Sequence, residues 1–302
     1  SDLRIGMPGG ADEANGGDGA AAFVLGDEGV IAEPIGGASV TEEFLDRWRT
    51  PGDTASQQWE ERFGEYAYLP LAEQAVGDAL KSAGITIADV DHFVVCGLHN
   101  RAVRAVPKLV GAKPESVVDD LSTVIGNAGT AQSGTVLADV LDRATPGQII
   151  AVVLLADGCD VVLLRTTAAI AEKRSTPTVR EQIEAGRTDL SYASFLTWRG
   201  QLVREPPRRP DPERPAGPPS LRGENWKFGF SGSRCTDCGT RHLPPARVCV
   251  RCHARDHMTS ERLADVAGTI ATYTIDRLAF SLSPPTVAVV IDLDGGGRFQ
   301  CE

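Results

Sequence analysis

The 302-residue sequence lacks any apolar run long enough to cross a membrane. Its longest run, around residues 148–156, is far short of the roughly 20 residues that a spanning helix needs. A signal peptide is also absent from its start, because no basic region followed by an apolar stretch opens the chain. The Gly-rich stretch GGDGAAA has no phosphate-loop lysine and precedes an apolar run, which indicates a tight turn. These absences predict a cytoplasmic protein that does not interact with membranes.

Positive charge is scarce as well. The chain has 30 Lys and Arg against 41 Asp and Glu, with a formal net charge of −11 and a pI near 5.0. Such a surface repels a polyanion. Residues 234–262, the most cysteine-rich part of the chain, hold only six arginines against three acids. No nucleic-acid partner is therefore expected.

Cysteine, by contrast, occurs in a pattern. Four of the seven cysteines form two Cys-x-x-Cys pairs separated by ten residues, namely Cys235, Cys238, Cys249 and Cys252. In a reducing cytosol this spacing predicts a tetrahedral zinc site, with iron in a rubredoxin-like site as the minor alternative. A closed four-thiolate shell leaves zinc no position for substrate, so its expected role is structural. The nearby His253 and His257 could replace a thiolate, but we interpret them as surface residues.

The first half of the chain alternates helical and strand patterns. AAAFVLG and GVIAEPIGGASV read as strands, and residues 71–83 read as an amphipathic helix with Gly84 as its C-cap. DHFVVCGLH, QIIAVVLLA and DVVLLRTT read as buried strands, the last two separated by residues 157–159. Between them, RAVRAVPKLVG is helix-like but interrupted at Pro107, and GTAQSGTVLADVLDRA carries a helical stripe. This alternation predicts a layered α/β domain over residues 1–167.

The composition changes after Thr167. Residues 168–228 are expected to form a helical and Pro-rich linker, in which seven of the 19 prolines lie between Pro206 and Pro219. Residues 229–262 hold the zinc ribbon, and residues 263–302 alternate like three antiparallel strands, too few to close a barrel. The arginines of VREPPRRPDPERP are expected to stay solvated, although they could meet a CoA phosphate. Because the chain opens without Met inside an apparent domain and stops after the third strand, we expect a fragment at both ends.

Two polar residues stand beside buried strands. His99 follows the strand of CGLHN, and Asn127 lies in IGNAGTAQSG, where a helix begins. Loops on a rigid sheet can aim such side chains into one cleft. There, imidazole and carboxamide donors can stabilise an enolate or a thioester oxyanion. Asn100 is interpreted as a cap of the following helix.

These segments resemble a known family. GDGAAAFVLG, CGLHNRAVRAVPKLVG, STVIGNAGTAQSGTVLADVL and PGQIIAVVLLADGCDVVLL resemble the last strands of the first half and nearly all of the second half of thiolase-superfamily condensing enzymes. The resemblance is strongest to hydroxymethylglutaryl-CoA synthase and the ketoacyl synthase III group. FLDRWRTPGD and FGEYAY favour the hydroxymethylglutaryl-CoA synthase side. The resemblance implies a thiolase-like layered α/β/α half-fold over residues 1–167, carbon–carbon bond formation between CoA thioesters, and a homodimer or a complex with a thiolase. It also implies that His99 polarises the thioester carbonyl and that Asn127 adds a second donor.

The rest of the chain has its own resemblance. YASFLTWRG, the Pro-rich stretch, FGFSGSRCTDCGTRHLPPARVCVRC and GTIATYTI resemble the zinc-ribbon and OB-fold module that accompanies thiolases and hydroxymethylglutaryl-CoA synthases. The resemblance implies a rubredoxin-like ribbon that docks to the condensing enzyme and an incomplete antiparallel OB-fold that accommodates CoA thioesters.

One departure from the family pattern concerns the nucleophile. These enzymes acylate a cysteine in their first half, which would lie before Ser1. Cys96 falls in a buried strand and Cys159 in a Gly-bearing turn, so both are interpreted as small core residues. Two alternatives therefore stay open: a thiolase-fold retro-aldolase of lipid side-chain degradation, and a non-catalytic CoA-thioester-binding scaffold.

Overall fold

A computed structural model describes residues 6–53, 55–203, 205, 208 and 216–302. The chain divides into two compact units, Ser1–Asp189 and Leu190–Glu302. Within the described residues, no helix combines the length and the apolar character needed to cross a membrane.

The first unit contains six helices and six strands among its described residues. Their bounds are α1 Ala11–Asn15, β1 Ala32–Thr41, β2 Arg47–Trp48, β3 Gln57–Gln58, α2 Glu61–Ala83, β4 His92–Gly97, α3 Asn100–Leu109, α4 Ser122–Ile125, α5 Thr130–Arg143, β5 Ile149–Leu155, β6 Gly158–Thr166 and α6 Val179–Glu184.

A four-stranded mixed sheet lies at the centre of this unit, in the order β1-β6-β5-β4. β4 pairs parallel with β5, whereas β6 pairs antiparallel with both β5 and β1. Successive side chains of a strand point to opposite faces. Alternate residues of β5 accordingly pack against α2 and α3 on one face of the sheet and with buried residues of α5 on the other. The predicted layered α/β/α arrangement is confirmed.

Helix α2 is longer than its sequence pattern predicts. It begins at Glu61 rather than Leu71 and continues through Pro70, then ends at Ala83 with Gly84 in the left-handed conformation at φ 66°. The apolar face extends one turn back to the buried Tyr68, so packing against the sheet holds the helix across the proline. Helix α3 likewise continues two residues beyond Pro107.

The segment AAAFVLG is not a buried strand, contrary to the sequence-based expectation. Residues 17–27 carry no strand assignment, and within the described part of the chain no strand pairs with them. The side chains of Val24 and Leu25 are 101% and 92% exposed. An apolar run forms a buried strand only when another backbone pairs with it and its side chains are covered; among the described residues no strand pairs with this segment, and its side chains stay exposed. Cys159, placed in a turn by the sequence, lies instead inside β6.

The second unit contains short helices and two antiparallel sheets. Their elements are α7 Tyr192–Trp198, α8 Gly217–Arg222, α9 Glu224–Lys227, β7 Ser231–Cys235, β8 Arg241–His242, β9 Met258–Arg262, β10 Gly268–Asp276, β11 Thr286–Leu293 and β12 Arg298–Cys301. The strand orders are β8-β7-β9 and β10-β11-β12, and every pair is antiparallel. The three strands expected after the ribbon are therefore present as an open sheet.

The Pro-rich stretch lies mostly outside the described residues, which omit 204, 206, 207 and 209–215. The prediction that this stretch is a linker therefore lies outside the described residues. So do three of the four arginines in VREPPRRPDPERP. Just before it, the indole Nε1 of Trp198 donates a 2.7 Å hydrogen bond to the Leu282 carbonyl. This bond joins α7 to the loop between β10 and β11 within the second unit.

Candidate active site and zinc centre

His99 lies where β4 gives way to α3. It is the N-cap of that helix, and its Nδ1 accepts a 3.1 Å hydrogen bond from the backbone amide of Ala102. The cap is therefore His99 and not Asn100, which is the first residue of the helix. With Nδ1 acting as an acceptor, the neutral imidazole carries its proton on Nε2.

The backbone of α2 forms one wall beside the imidazole. A Cβ placed on Gly64 would lie 2.4 Å from Cδ2 and 2.6 Å from Nε2 of His99. Real nonbonded carbon contacts are about 3.5 Å or longer, so only glycine lets the helix approach this closely. The sequence offered no signal for this role, because a glycine inside a helical pattern has many explanations.

Asn127 lies in the loop between α4 and α5, flanked by Gly126 and Gly129 at φ 72° and 60°. Its Nδ2 donates to the Gly97 carbonyl at 2.8 Å, and its Oδ1 accepts from the Gly129 amide at 2.8 Å. The carboxamide, only 7% exposed, thus ties the end of β4 to the start of α5. Both of its polar atoms are held in fixed directions.

His99 and Asn127 line the same cavity, whose volume is about 70 Å³. Its other walls come mainly from α1, β2 and β3, and they include Asp12, Arg47 and Trp59. Arg47 Nη1 pairs with Asp12 Oδ2 at 2.5 Å, and Gln58 Nε2 donates to the other carboxylate oxygen at 2.8 Å. The structure thus brings the two predicted residues together and adds polar partners that no motif in the sequence indicated.

The two sheet cysteines are poor nucleophiles in this environment. Cys96 and Cys159 are each 1% exposed, and neither lines the cavity. Burial, together with the nearby Asp120 and Asp160 carboxylates respectively, raises the pKa of each thiol to about 12. Both are therefore neutral core residues near pH 7, because only a thiolate attacks efficiently.

The four paired cysteines converge in the second unit. Their Sγ atoms all lie within 4.8 Å of one another, and two of the separations are 3.6 Å and 3.4 Å, for Cys235–Cys252 and Cys238–Cys249. A tetrahedron with Zn–S bonds of about 2.3 Å has edges of about 3.8 Å, so the cluster fits one zinc ion. Hydrogen bonds from Thr240 lower the pKa of Cys238 to about 6, which favours the thiolate that zinc requires.

The two neighbouring histidines are not part of this cluster. His257 Nδ1 contacts the Asp237 carboxylate at 3.0 Å on the surface. His253 is exposed, and the metal-binding group comprises the four cysteines alone among the described residues. The shell is closed, so the zinc is structural.

Comparisons with known proteins agree with this reading. Residues 229–257 match the family described as ChsH2, rubredoxin-like zinc ribbon domain. Over 208 residues the chain is 27% identical to hydroxymethylglutaryl-CoA synthase of Thermoplasma volcanium, covering 67% of this chain and 59% of that enzyme. Over 207 residues it is 30% identical to hydroxymethylglutaryl-CoA synthase of Aeropyrum pernix, covering 67% of this chain and 57% of that enzyme. The chain thus spans less than two thirds of the length of these curated relatives.

Two solved structures share part of the arrangement. The 3-oxoacyl-[acyl-carrier-protein] synthase III of Aquifex aeolicus has a TM-score of 0.40 and 16% identity, covering 45% of both chains. A variant of OleA from Xanthomonas campestris has a TM-score of 0.40 and 21% identity, covering 44% of this chain and 40% of OleA. At these scores the likeness adds no weight to the assignment, which rests on the sequence matches.

A mixed sheet between two helical layers, with a histidine at one strand end and a Gly-Asn loop before the next helix, defines the first unit as a thiolase-like half-fold. More specifically, the chain is similar to hydroxymethylglutaryl-CoA synthases, and it carries a rubredoxin-like zinc ribbon.

Proposed function

We propose that this chain supplies the His–Asn part of the active site of an acyl-CoA condensing enzyme similar to hydroxymethylglutaryl-CoA synthase. The observation that carries the proposal is the convergence of His99 and Asn127 on one small polar cavity at the end of β4. The reaction joins two CoA thioesters through a new carbon–carbon bond. The acyl-CoA substrates are the partners that this chemistry requires.

His99 acts on the thioester carbonyl. Because Nδ1 accepts from the Ala102 amide, the ring proton is on Nε2, and an N–H donor of this kind stabilises a carbonyl oxygen as negative charge develops on it. Asn127 supplies the second donor. One of its two Nδ2–H bonds is directed at Gly97, which fixes the direction of the other. Preorganised donors of this kind are worth about 3 kcal/mol each in the transition state.

The acylated nucleophile belongs, in this proposal, to the part of the relatives' length that the chain does not span. Cys96 and Cys159 are excluded from the role by their burial and raised pKa. Zinc stabilises the ribbon around the four cysteines, and residues 263–302 accommodate the CoA part of the substrate. We further propose a homodimer or a complex with a thiolase, in the cytoplasm and without nucleic acid.

The proposal is tested by incubating the natural full-length gene product with acetyl-CoA and acetoacetyl-CoA and measuring condensed product by mass spectrometry. We expect His99→Ala to lower kcat on the order of 100-fold. A matched control is His92→Gln, at the opposite end of β4, where Nε2 contacts Gln148 at 3.1 Å. Equal activity in the two variants would refute the assigned role of His99.

A second candidate is a thiolase-fold retro-aldolase, which needs no acylated cysteine. It is favoured by the absence of a cysteine among the residues that line the described cavity. Cleavage of a β-hydroxyacyl-CoA by the full-length product, without any covalent acyl intermediate, would select this reaction over condensation. Tight CoA-thioester binding without turnover in either assay would leave the scaffold function.

A further inference from the structure

His99 is flanked by an aromatic side chain from α2 that no motif in the sequence singled out. The Tyr68 ring lies 5.9 Å from the imidazole, measured between ring centroids, at an interplanar angle of 43°. Tyr68 follows Gly64 by four residues, so both lie on the same face of the helix. Together they enclose the imidazole between bare backbone and an aromatic ring.

Tyr68 is itself held from several sides. It is 4% exposed, and the Phe44 ring meets it edge-on, with the centroids 4.9 Å apart. The carboxylates of Asp46 and Asp157 lie near its hydroxyl group. Burial and these two carboxylates raise the pKa of Tyr68, so its hydroxyl stays protonated and remains a donor.

These contacts connect three parts of the fold around the site. Asp46 immediately precedes β2 and lines the same cavity as His99. Asp157 lies in the turn between β5 and β6, where its φ of 49° is sterically unfavourable for a non-glycine residue. The Tyr68 hydroxyl therefore lies close to both loops while its ring contacts the imidazole.

We propose that Tyr68, held by burial and by the edge of the Phe44 ring, is a positioning residue that fixes the orientation of the His99 imidazole through its ring. The importance of this role for catalysis rests on the proposed function. The effect of Tyr68 on the orientation of the imidazole can be tested without it.

The first test measures the ring directly in the natural full-length product labelled with ¹⁵N-histidine. The sequence has five histidines, so His99→Gln assigns the resonances. In wild type, His99 should show one protonated nitrogen, Nε2, and one unprotonated nitrogen, Nδ1. Tyr68→Leu should bring the ¹⁵N chemical shifts of Nδ1 and Nε2 toward each other, because the imidazole becomes mobile. Tyr68→Phe should keep most of the difference between these two shifts.

The matched control is Tyr66→Leu, two residues earlier in α2, where the side chain is 81% exposed. It should leave the His99 resonances unchanged. Unchanged resonances in folded Tyr68→Leu, verified by circular dichroism, would overturn the proposal. If Tyr68→Leu does not fold, Tyr68→Phe decides: because it keeps the ring, a loss of the separation between the two ¹⁵N chemical shifts in a folded Tyr68→Phe protein would refute positioning by the ring.

The second test measures catalysis in the same variants. A misplaced donor should lower kcat for Tyr68→Leu on the order of 100-fold with KM changed much less, and by a smaller factor for Tyr68→Phe. Wild-type kcat in a Tyr68→Leu protein whose resonances have shifted would contradict the catalytic value of the position. If wild type has no condensing activity, the proposed function fails, and the resonance experiment still tests the placement of His99.

Discussion

Replacing Gly64 by alanine should separate the placement of His99 from the stability of the fold. The new Cβ would lie 2.4 Å from Cδ2 of His99. An ordinary carbon–carbon contact is about 3.5 Å, so the imidazole must retreat by about 1 Å. A displacement of that size can cost on the order of 100-fold in rate, and we expect this fall in kcat for Gly64→Ala.

The free energy of unfolding of Gly64→Ala should change little or rise, even though kcat falls. Alanine is favoured over glycine inside a helix by about 1 kcal/mol, which offsets the cost of moving the ring. Gly77→Ala in the same helix is the matched control, because a Cβ there meets no heavy atom within 4 Å. It should raise the free energy of unfolding by about 1 kcal/mol and leave kcat unchanged.

The assay combines condensation kinetics with urea unfolding on the natural full-length product. Wild-type kcat in a folded Gly64→Ala protein would refute the placement of the imidazole against α2. The same conclusion would follow from an equal loss of kcat in both glycine variants, because the Gly77 substitution does not touch the site.

Three further predictions concern the rest of the chain. Cys249→Ser should lower bound zinc from one ion per chain, measured by elemental analysis, and unfold the ribbon; full zinc content would contradict the assigned ligand set. Arg180→Ala should lower the free energy of unfolding by about 2 kcal/mol, because Asp139 is 1% exposed and Arg180 Nε donates to it at 2.7 Å. Arg187→Ala removes only an exposed ion pair and should change the free energy of unfolding by less than about 1 kcal/mol. An equal loss of stability in the Arg180 and Arg187 variants would refute the larger contribution assigned to the buried Asp139 pair. The two buried sheet cysteines should resist alkylation at pH 7 in the native state and react after denaturation, since their pKa of about 12 leaves no thiolate; rapid native labelling would contradict their burial.

Continuous apolar runs predicted the strands that have partners within the chain. IIAVVLL forms β5 because both of its faces meet a helical layer. AAAFVLG has the same apolar character but does not form a strand, because strand formation depends on a neighbouring backbone that local pattern does not reveal. Helix α2 shows the same limit, since packing extends it across a proline that local propensity treats as a boundary.

The site was predictable to the extent that its residues follow motifs. His99 and Asn127 adjoin recognisable strand and helix ends, and the zinc ligands follow a regular spacing. Asp12, Arg47 and Tyr68 come from separate elements and meet only in three dimensions. Their residue types are common on protein surfaces and in cores, so the sequence gives no reason to select them.

Intact-mass spectrometry of the natural full-length product tests the central claim most directly. The protein is incubated with acetyl-CoA and then with acetoacetyl-CoA, with His99→Ala alongside. We predict one covalent acetyl group per chain that disappears from wild type when the second thioester is added, and that persists longer in the variant. A protein that retains CoA binding but never carries the acetyl group would contradict condensation through an acylated enzyme.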